Sequence, residues 1–268
     1  MRDHAFISGA TGGLGKAFAV ECASRGWDLF LTDLQEDRLS LLAGSLEKTY
    51  GIAVRSHACD LTDPSCRRAL FETIRLAGLD FTFLINVAGL DHEGPFLERS
   101  RDELRSIIRL NVEATLEVTH ALLEAADASV PLHIINVSSL AAFYPMPIKA
   151  TYAASKRFLL DFSLALREEV RSRGVTVTVL CPAGLPTTAG TIRAIESQGL
   201  MGQLTTRDIG GVAAQTVEAA LHGRPLVIPG ALNRLLQLAG GLVPPSGLAS
   251  FIVKRWRAAH RRAQAADA

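Results

Sequence analysis

The chain has 268 residues, with 28 Lys and Arg against 27 Asp and Glu. This near balance of charge argues against nucleic acid as the main partner, because no bulk positive field exists to neutralise phosphates. The four cysteines form no CxxC pair and have no His at a zinc-ligand spacing, so we expect reduced thiols and no metal site. No apolar run reaches the ~18 residues of a membrane span. No secretory signal is recognisable either, so we expect a cytoplasmic protein.

Short apolar runs rich in β-branched residues alternate with longer amphipathic stretches. The predicted strands cover 5–8, 29–32, 52–58, 81–87, 132–138, 175–180 and 226–228. The predicted helices cover 14–25, 35–49, 64–77, 101–126, 150–173 and 208–222. The strands are continuously apolar rather than alternating, which indicates a sheet covered on both faces. The order predicts an α/β fold, a Rossmann-type doubly wound parallel sheet of about seven strands with helices on both faces.

We expect residues 1–230 to form one nucleotide-binding catalytic domain, with 231–268 as a C-terminal amphipathic, basic extension of it. Ligands of such sheets bind beyond the carboxyl ends of the strands. The stretch SGATGGLG (8–15) stands there, after the first strand and at the start of the first helix. Its glycines let the backbone turn sharply and approach a pyrophosphate, whose charge the helix start favours. A glycine cluster alone is a weak signal, but its position after strand one predicts a dinucleotide site.

Asp33 ends the second predicted strand. A carboxylate at this point can accept hydrogen bonds from both ribose hydroxyls of an adenosine, and it would repel a 2′-phosphate. No Lys or Arg occupies the glycine loop or the positions just after Asp33. The pattern therefore favours NAD over NADP. The alternative is that Asp33 only caps the following helix.

Further motifs follow in order along the chain. They are Gly9-x-x-x-Gly13-x-Gly15, Asp60 in CDLTD, Asn86 in NVAG, Asn111 in RLNVEAT, Ser139 in INVSS and Tyr152-x-x-x-Lys156. On these motifs the chain resembles a short-chain dehydrogenase/reductase of the common single-domain type, from about residue 4 to 230. The resemblance implies an NAD(P)-dependent oxidoreductase that interconverts a secondary alcohol and a ketone by hydride transfer.

The catalytic chemistry centres on Tyr152 and Lys156, which lie four positions apart and so share one helix face. A tyrosine has an unperturbed pKa of ~10, too high for a base near neutrality. A neighbouring ammonium favours the phenolate, so we expect Lys156 to lower this pKa. The resemblance implies that Lys156 also holds the nicotinamide ribose, that Ser139 contacts the substrate oxygen, and that Asn111 holds a water beside Lys156. Ser138 is the rival of Ser139, which has the family's usual spacing from Tyr152.

The resemblance also implies a set of cofactor contacts. They are Gly9, Thr11, Gly13, Leu14, Gly15, Asp33, Asp60, Leu61, Asn86, Ala88, Tyr152, Lys156, Pro182 and Thr187. Asp60 and Leu61 are expected at the adenine, and Thr187 at the nicotinamide carboxamide. Two positions depart from the family pattern. Val87 replaces the second Asn of NNAG, which removes a hydrogen bond of the central sheet. Ala183 replaces the Gly of PG-x-x-x-T, where the backbone can require a positive φ.

The loop 185–206 is expected to cover the active site. Its apolar residues are Leu185, Ile192, Ile195, Leu200, Met201 and Leu204. If they line a pocket, they indicate a hydrophobic alcohol or ketone such as a hydroxysteroid or bile acid. A 3-oxoacyl thioester or a small ketone stays an alternative, and the same residues could instead pack the loop onto the body. We expect substrate contacts at Ser139, Tyr152, His92 and Leu185.

Two other classes of protein fit parts of the pattern. Gly9-x-x-Gly12-x-x-Gly15 also matches the extended branch of sugar-nucleotide epimerases and dehydratases, but little beyond residue 230 remains for their substrate domain. A non-catalytic cofactor-sensing protein would keep the fold without turnover, although such proteins usually lack a member of the catalytic set.

The C-terminal segment 248–262 carries five basic residues and no acidic one. As a helix it would place Leu248, Ile252, Trp256 and Ala259 on one apolar stripe. This stripe would dock on a partner subunit or the substrate loop, or lie on an anionic membrane surface. The resemblance implies a homodimer or homotetramer.

Overall fold

The structure is a computed structural model that describes residues 3–127, 129–187, 191–192, 204–240 and 244–254. The strands are β1 (His4–Ser8), β2 (Asp28–Asp33), β3 (Val54–Ala58), β4 (Phe83–Asn86), β5 (His133–Val137), β6 (Thr176–Leu180) and β7 (Leu226–Val227). They pair in parallel in the order β3-β2-β1-β4-β5-β6-β7. The predicted seven-stranded, doubly wound parallel sheet is confirmed.

Helices connect the strands and cover both faces of the sheet. They are α1 (Gly13–Ser24), α2 (Glu36–Tyr50), α3 (Pro64–Ala77), α4 (Arg101–Ile108), α5 (Thr115–Ala125), α6 (Ala150–Val170), α7 (Ile209–Leu221) and α8 (Ala231–Gly240). Local sequence sets several of their ends. Ser100 and Glu103 form a reciprocal capping box at the start of α4, and Asp63 caps α3 through the Ser65 N–H, as short polar side chains do at helix starts.

The continuous apolar runs of the strands are explained by burial on both faces. Along β1, Ala5 and Ile7 join the core under α1 and α7, whereas Phe6 points to the opposite face. There Phe6 stacks on Phe30 with ring centroids 5.7 Å apart. Burying a side chain of this size stabilises the fold by about 1.5–3 kcal/mol. The resulting rigid sheet fixes the strand ends that carry the site.

The predicted continuous helix over 101–126 is wrong in one respect. A π-helical turn, Arg109–Ala114, separates α4 from α5. Its wider ring places Asn111 fully inside the protein, and the Thr115 hydroxyl donates to the Asn111 carbonyl at 3.1 Å. Single π-helical turns recur at functional sites because they reorient one side chain without ending the helix.

The C-terminal extension begins with α8, which packs against the 3₁₀ turn Leu140–Phe143 that follows β5. The buried Asn233 side chain donates to the Thr205 carbonyl at 2.9 Å and to the Pro229 carbonyl at 2.7 Å. Residues 245–254 form a further helix that contains Leu248 and Ile252 of the predicted stripe. The predictions for Trp256 and Ala259 lie outside the described residues. Among the helices that the structure describes, none combines the length and apolar character needed to span a bilayer.

Candidate active site

The strand order reverses between β1 and β4, and ligands of such sheets bind in the crevice at that point. Gly9, at the end of β1, has a φ of 64°, and a Cβ there would lie 2.8 Å from the Ala88 backbone nitrogen. A Cβ on Gly15 would lie 2.0 Å from the Gly9 carbonyl oxygen. The two glycines therefore allow a backbone approach that no other residue permits.

The start of α1 fits a diphosphate. The helix begins at Gly13 with Gly12 at its N-cap, and no side chain caps it. Its first N–H groups and its dipole are thus available to an anion. A Cβ on Gly13 would lie 2.8 Å from the Thr187 Cβ, so Thr187 packs on the glycine loop from the segment after β6. Leu14, beside them, is buried in the core.

Asp33 fastens the glycine loop to the end of β2. Its Oδ2 accepts hydrogen bonds from the Thr11 N–H and the Thr11 hydroxyl, both at 2.8 Å. Its Oδ1 accepts from the Leu34 N–H at 2.7 Å. The N-cap of α2 is Gln35, so the alternative that Asp33 caps this helix is wrong. A carboxylate is thus fixed beside the glycine loop at the edge of the crevice.

The loop after β3 is held by a buried arginine that the sequence analysis missed. Arg67, 1% exposed, donates to the Leu61 carbonyl at 2.7 Å. It also forms a bidentate pair with Glu117 at 2.6 and 2.8 Å. Asp60 closes the same loop by accepting from the Thr62 N–H and hydroxyl. The sequence held one indication that Arg67 is buried: it lies on the same face of α3 as the apolar residues Leu70 and Ile74.

Asn86 belongs to a buried network rather than to the open crevice. Its amide donates to the Thr119 hydroxyl at 3.0 Å and to the Asn136 side-chain oxygen at 2.9 Å. The Ser8 hydroxyl accepts from the Val87 N–H at 3.2 Å. The turn after β4 therefore persists with Val at position 87. The Asn86 side chain ties β4 to β5, so only its backbone remains for the predicted cofactor contact.

Ser139 and Tyr152 lie together at the carboxyl end of β5. The Ser139 side chain hydrogen-bonds the Tyr152 phenol, and its oxygen accepts from the Ala141 N–H at 3.1 Å. Ser138 instead is buried, and its hydroxyl donates to the Lys156 carbonyl at 2.6 Å. The two serines thus have separate roles: Ser138 anchors α6, and Ser139 faces the phenol.

Lys156 and Asn111 complete the predicted catalytic set. The Lys156 ammonium donates to the Val137 carbonyl at 2.9 Å and is almost fully buried. Asn111 accepts from the Leu90 N–H at 2.9 Å and donates to the Ser155 hydroxyl at 3.0 Å. The strand, the π-helical turn and α6 thus bring the four predicted side chains to one end of the sheet.

The Lys156 and Asn111 side chains both pack against Gly89, which was not predicted as a site residue. A Cβ at this position would lie 3.1 Å from the Lys156 Nζ and 3.2 Å from the Asn111 Oδ1. The absence of a side chain therefore lets both polar groups approach the loop after β4. Gly89 is the last residue of the NVAG motif. The sequence did not indicate that it lies beside Asn111 and Lys156, because both are far from it along the chain.

The protonation equilibria differ from the expectation. Burial raises the pKa of Tyr152 above its ordinary value, and the hydrogen bond from Ser139 opposes this shift. Burial lowers the pKa of Lys156 from 10.5 to about 8. The prediction that Lys156 lowers the pKa of Tyr152 is therefore wrong for the net shift, because desolvation of the phenol outweighs the charges around it.

Substrate-side residues fall into two groups. His92 lies beside Ser106, with 3.2 Å between Nε2 and the hydroxyl, and lines a small pocket together with Tyr152. Leu185 packs against the apolar core under α1. This favours the alternative in which the loop after β6 packs onto the body. Ile192 and Leu204 are exposed, and the predictions for Ile195, Leu200 and Met201 lie outside the described residues.

The position that Ala183 takes from a glycine requires no special conformation. Among the described residues, the one non-glycine residue with a positive φ is Ile148, at 60°. Ala183 therefore adopts an ordinary backbone. Next to it, the Pro182 carbonyl accepts from the Leu140 N–H at 2.7 Å, which fixes the segment after β6 against the segment after β5.

The sequence is similar to those of known dehydrogenases and reductases. The family model described as short chain dehydrogenase matches residues 3–196. A very-long-chain 3-oxoacyl-CoA reductase of Laccaria bicolor is 36% identical over 65% of this chain and 52% of its own length. The 17-beta-hydroxysteroid dehydrogenase type 3 of Homo sapiens is 33% identical over 70% of this chain and 60% of its own. The chain thus spans little more than half the length of these curated relatives.

Solved structures agree on the fold. A structure from work on 7beta-hydroxysteroid dehydrogenase stereoselectivity superposes with a TM-score of 0.85 at 24% identity, covering 93% of this chain and 96% of the other. A short-chain dehydrogenase from Sphingobium yanoikuyae in complex with NADPH has a TM-score of 0.76 at 27% identity, covering 89% and 93%. One from Burkholderia phymatum in complex with NAD has a TM-score of 0.77 at 23% identity, covering 88% and 92%.

Proposed function

Because the chain belongs to the short-chain dehydrogenase family, we propose that it is an NAD(P)-dependent oxidoreductase that interconverts a secondary alcohol and a ketone. The observation that carries the proposal is the grouping of Asn111, Ser139, Tyr152 and Lys156 beside the strand-order reversal. The buried Lys156 ammonium lies 5.7 Å from the centroid of the Tyr152 ring. Burying ionisable groups costs free energy, and such costs concentrate where chemistry uses the groups.

Each residue has a step in the reaction. When bound, the nicotinamide supplies or accepts the hydride, and the glycine loop and Asp33 would hold its nucleotide. In ketone reduction, Tyr152 gives its phenolic proton to the substrate oxygen. Ser139 hydrogen-bonds the same oxygen as charge develops there. Lys156 stabilises the resulting phenolate by its charge, and Asn111 fixes the Leu90 segment and Ser155 around it.

For the cofactor we propose NAD rather than NADP. Asp33 is held at the edge of the crevice by Thr11 and Leu34, where its carboxylate would repel a 2′-phosphate. One of the similar structures is a complex with NADPH and another is a complex with NAD, so similarity alone does not select the cofactor. The test is kcat/KM with NADH and with NADPH. Equal values, or a preference for NADPH, would reject this assignment.

For the substrate we propose a hydrophobic oxo compound. The sequence favoured a hydroxysteroid or bile acid, and the name of the human relative supports this class. The name of the fungal relative supports the alternative, a 3-oxoacyl thioester, so it stands as the second candidate. A panel of oxosteroids, long-chain 3-oxoacyl thioesters and small ketones with NADH decides between them. Turnover confined to small polar ketones would reject the hydrophobic class.

A cofactor-sensing protein without turnover remains the contrasting function. Such a protein would bind NADH and show no alcohol-dependent reduction of NAD. The complete catalytic set argues against it. If wild-type protein binds NADH but turns over no member of the panel in either direction, the sensing role replaces the enzymatic one.

We propose that the chain assembles as a homodimer or homotetramer. The outer face of α6 exposes Phe158, whose ring stacks on Phe162 at 5.9 Å. Ile108 is also exposed, at the end of α4, a helix that contacts α6. Exposed apolar side chains that lie together on a surface are typical of a contact with another protein chain. Light scattering of wild type and Phe158→Glu tests this. A wild-type monomer would reject it. Membrane contact by the C-terminal segment and a cytoplasmic location remain predictions.

A further inference from the structure

Lys149, the residue before α6, is held by two carboxylates close to the candidate active site. Its Nζ lies 2.5 Å from the Asp91 Oδ2 and 2.7 Å from the Glu93 Oε2. The Lys149 and Asp91 side chains are each 23% exposed, so the pair is largely removed from solvent. All three residues come from the loops after β4 and before α6, and none of them was predicted as a site residue.

The backbone around Lys149 is constrained to present it there. Ile148 has a φ of 60°, an unfavourable conformation for a β-branched residue. Its carbonyl accepts from the Gly94 N–H at 2.8 Å, which ties the two loops together. Strained conformations persist where the surroundings over-determine them, and they concentrate at functional sites. The strain at Ile148 therefore points to a specific placement of the next residue.

That placement sets two ammonium groups around one phenol. The Lys156 Nζ lies 5.7 Å from the centroid of the Tyr152 ring, and the Lys149 Nζ lies 5.9 Å from it. The two cations differ in their protonation. Burial lowers the pKa of Lys156 to about 8. Burial acts in the same direction on Lys149, but its hydrogen bonds to Asp91 and Glu93 outweigh this and raise its pKa.

We propose that Lys149, which Asp91 and Glu93 hold beside the Tyr152 ring, is a second positioning cation whose charge stabilises the phenolate together with that of Lys156. The proposal rests on the acid–base role proposed above for Tyr152. Lys149 acts through the phenol and needs no contact with substrate. Its charge is kept at mildly alkaline pH, so it extends the range over which the tyrosine can act as a base.

Asp91, the partner of Lys149 in this ion pair, has the opposite effect on the pKa of Tyr152. Its Oδ2 pairs with Lys149, whereas its Oδ1 is buried without a hydrogen-bond partner among the described residues. Four side chains shift the pKa of the Tyr152 phenol. Ser139 acts by a hydrogen bond, and Asp91, Lys149 and Cys181 act electrostatically. Burial raises the pKa of Tyr152 most, the Asp91 charge adds to this, and the Lys149 charge opposes it. The two members of one ion pair thus act on the phenol with opposite signs.

Removing the Lys149 charge and removing the Asp91 charge should therefore shift the pKa of Tyr152 in opposite directions. A purely structural role of the pair would not produce opposite shifts. The chain has three tyrosines, so Tyr50→Phe with Tyr144→Phe leaves Tyr152 alone. Biosynthetic incorporation of a fluorotyrosine, whose phenol is more acidic, then lets fluorine NMR follow the ionisation of this one residue. Lys149→Met, Lys149→Arg and Asp91→Asn are made in this background, with the exposed Lys48→Met as matched control. Circular dichroism confirms that each variant is folded over the titration.

We expect Lys149→Met to raise the ionisation midpoint by about one pH unit and Asp91→Asn to lower it by a similar amount. Lys149→Arg and Lys48→Met should keep the wild-type midpoint. The pH profile of kcat/KM should move in the same directions. Unchanged midpoints, or shifts of the same sign in Lys149→Met and Asp91→Asn, would overturn the proposal. The NMR titration needs no turnover, so an inactive wild type would reject the enzymatic function while still deciding this point.

Discussion

Gly89→Ala tests whether the positions of Lys156 and Asn111 matter, without changing either residue. The added methyl would lie 3.1 Å from the Lys156 Nζ and 3.2 Å from the Asn111 Oδ1. Ordinary contacts are a few tenths of an ångström longer, so one of the two groups has to move. The backbone itself can accept alanine, because the φ of Gly89 is not positive.

The cost follows from what holds the two neighbours. Lys156 is hydrogen-bonded to the Val137 carbonyl, and Asn111 to both the N–H and the carbonyl of Leu90. Moving either group stretches a buried hydrogen bond, which contributes about 1 kcal/mol. Overpacking by one methyl costs about 1–3 kcal/mol in total. Since each 1.36 kcal/mol is tenfold in rate, we expect kcat/KM to fall by roughly 10- to 100-fold.

The assay is steady-state turnover with NADH on the best substrate of the panel, together with the unfolding free energy in urea. Gly44→Ala is the matched control. A Cβ there meets nothing within 4 Å, and alanine inside a helix stabilises by roughly 0.5–1 kcal/mol relative to glycine. We expect Gly44→Ala to keep full activity. If Gly89→Ala also keeps wild-type kcat/KM, the positions of Lys156 and Asn111 do not limit catalysis.

Three further predictions concern charge. The pKa of Lys156 is lowered from 10.5 to about 8, so between these pH values the unfolded chain binds more protons. Wild-type stability should therefore rise with pH across this window by up to ~3 kcal/mol relative to Lys156→Met, in urea unfolding at each pH. Asp33→Ala should narrow the preference for NADH over NADPH, expected at about 100-fold in kcat/KM, and an unchanged ratio would contradict the charge argument. Glu117→Gln leaves the buried Arg67 without its counter-charge and should cost about 2–4 kcal/mol of unfolding free energy, whereas the exposed Glu124→Gln should cost little.

Patterns that repeat over short distances were readable from the sequence. The strands and most helices follow from apolar runs and cap residues, and the parallel, doubly wound sheet follows from the alternation of strands with helices. The glycine loop was identified by its place after β1. The relative positions of Ser139, Tyr152 and Lys156 followed from the family motifs and from helical spacing, which fixes which side chains share a face.

Features that depend on partners distant in the chain were missed. The π-helical turn shifts the hydrogen-bond register without changing the apolar pattern, so a continuous helix was predicted. Arg67 is tolerated in the core because Glu117 lies opposite it, 50 positions away in the sequence. Lys149 approaches Tyr152 because of Ile148 and of carboxylates after β4. The direction of the Tyr152 pKa shift depends on burial, which spacing alone does not reveal.

In the proposed reaction, Tyr152 exchanges the proton that accompanies hydride transfer. This role of Tyr152 is measured by the turnover of Tyr152→Phe beside that of Tyr144→Phe, with NADH binding followed by fluorescence in both variants. Phe keeps the shape of the ring and removes the phenolic proton, and acid–base catalysis of this kind contributes about 10²–10⁴-fold. We predict that Tyr152→Phe loses kcat by this factor while it still binds NADH, and that Tyr144→Phe is unaffected. A Tyr152→Phe protein with near-wild-type kcat would show that Tyr152 does not exchange this proton.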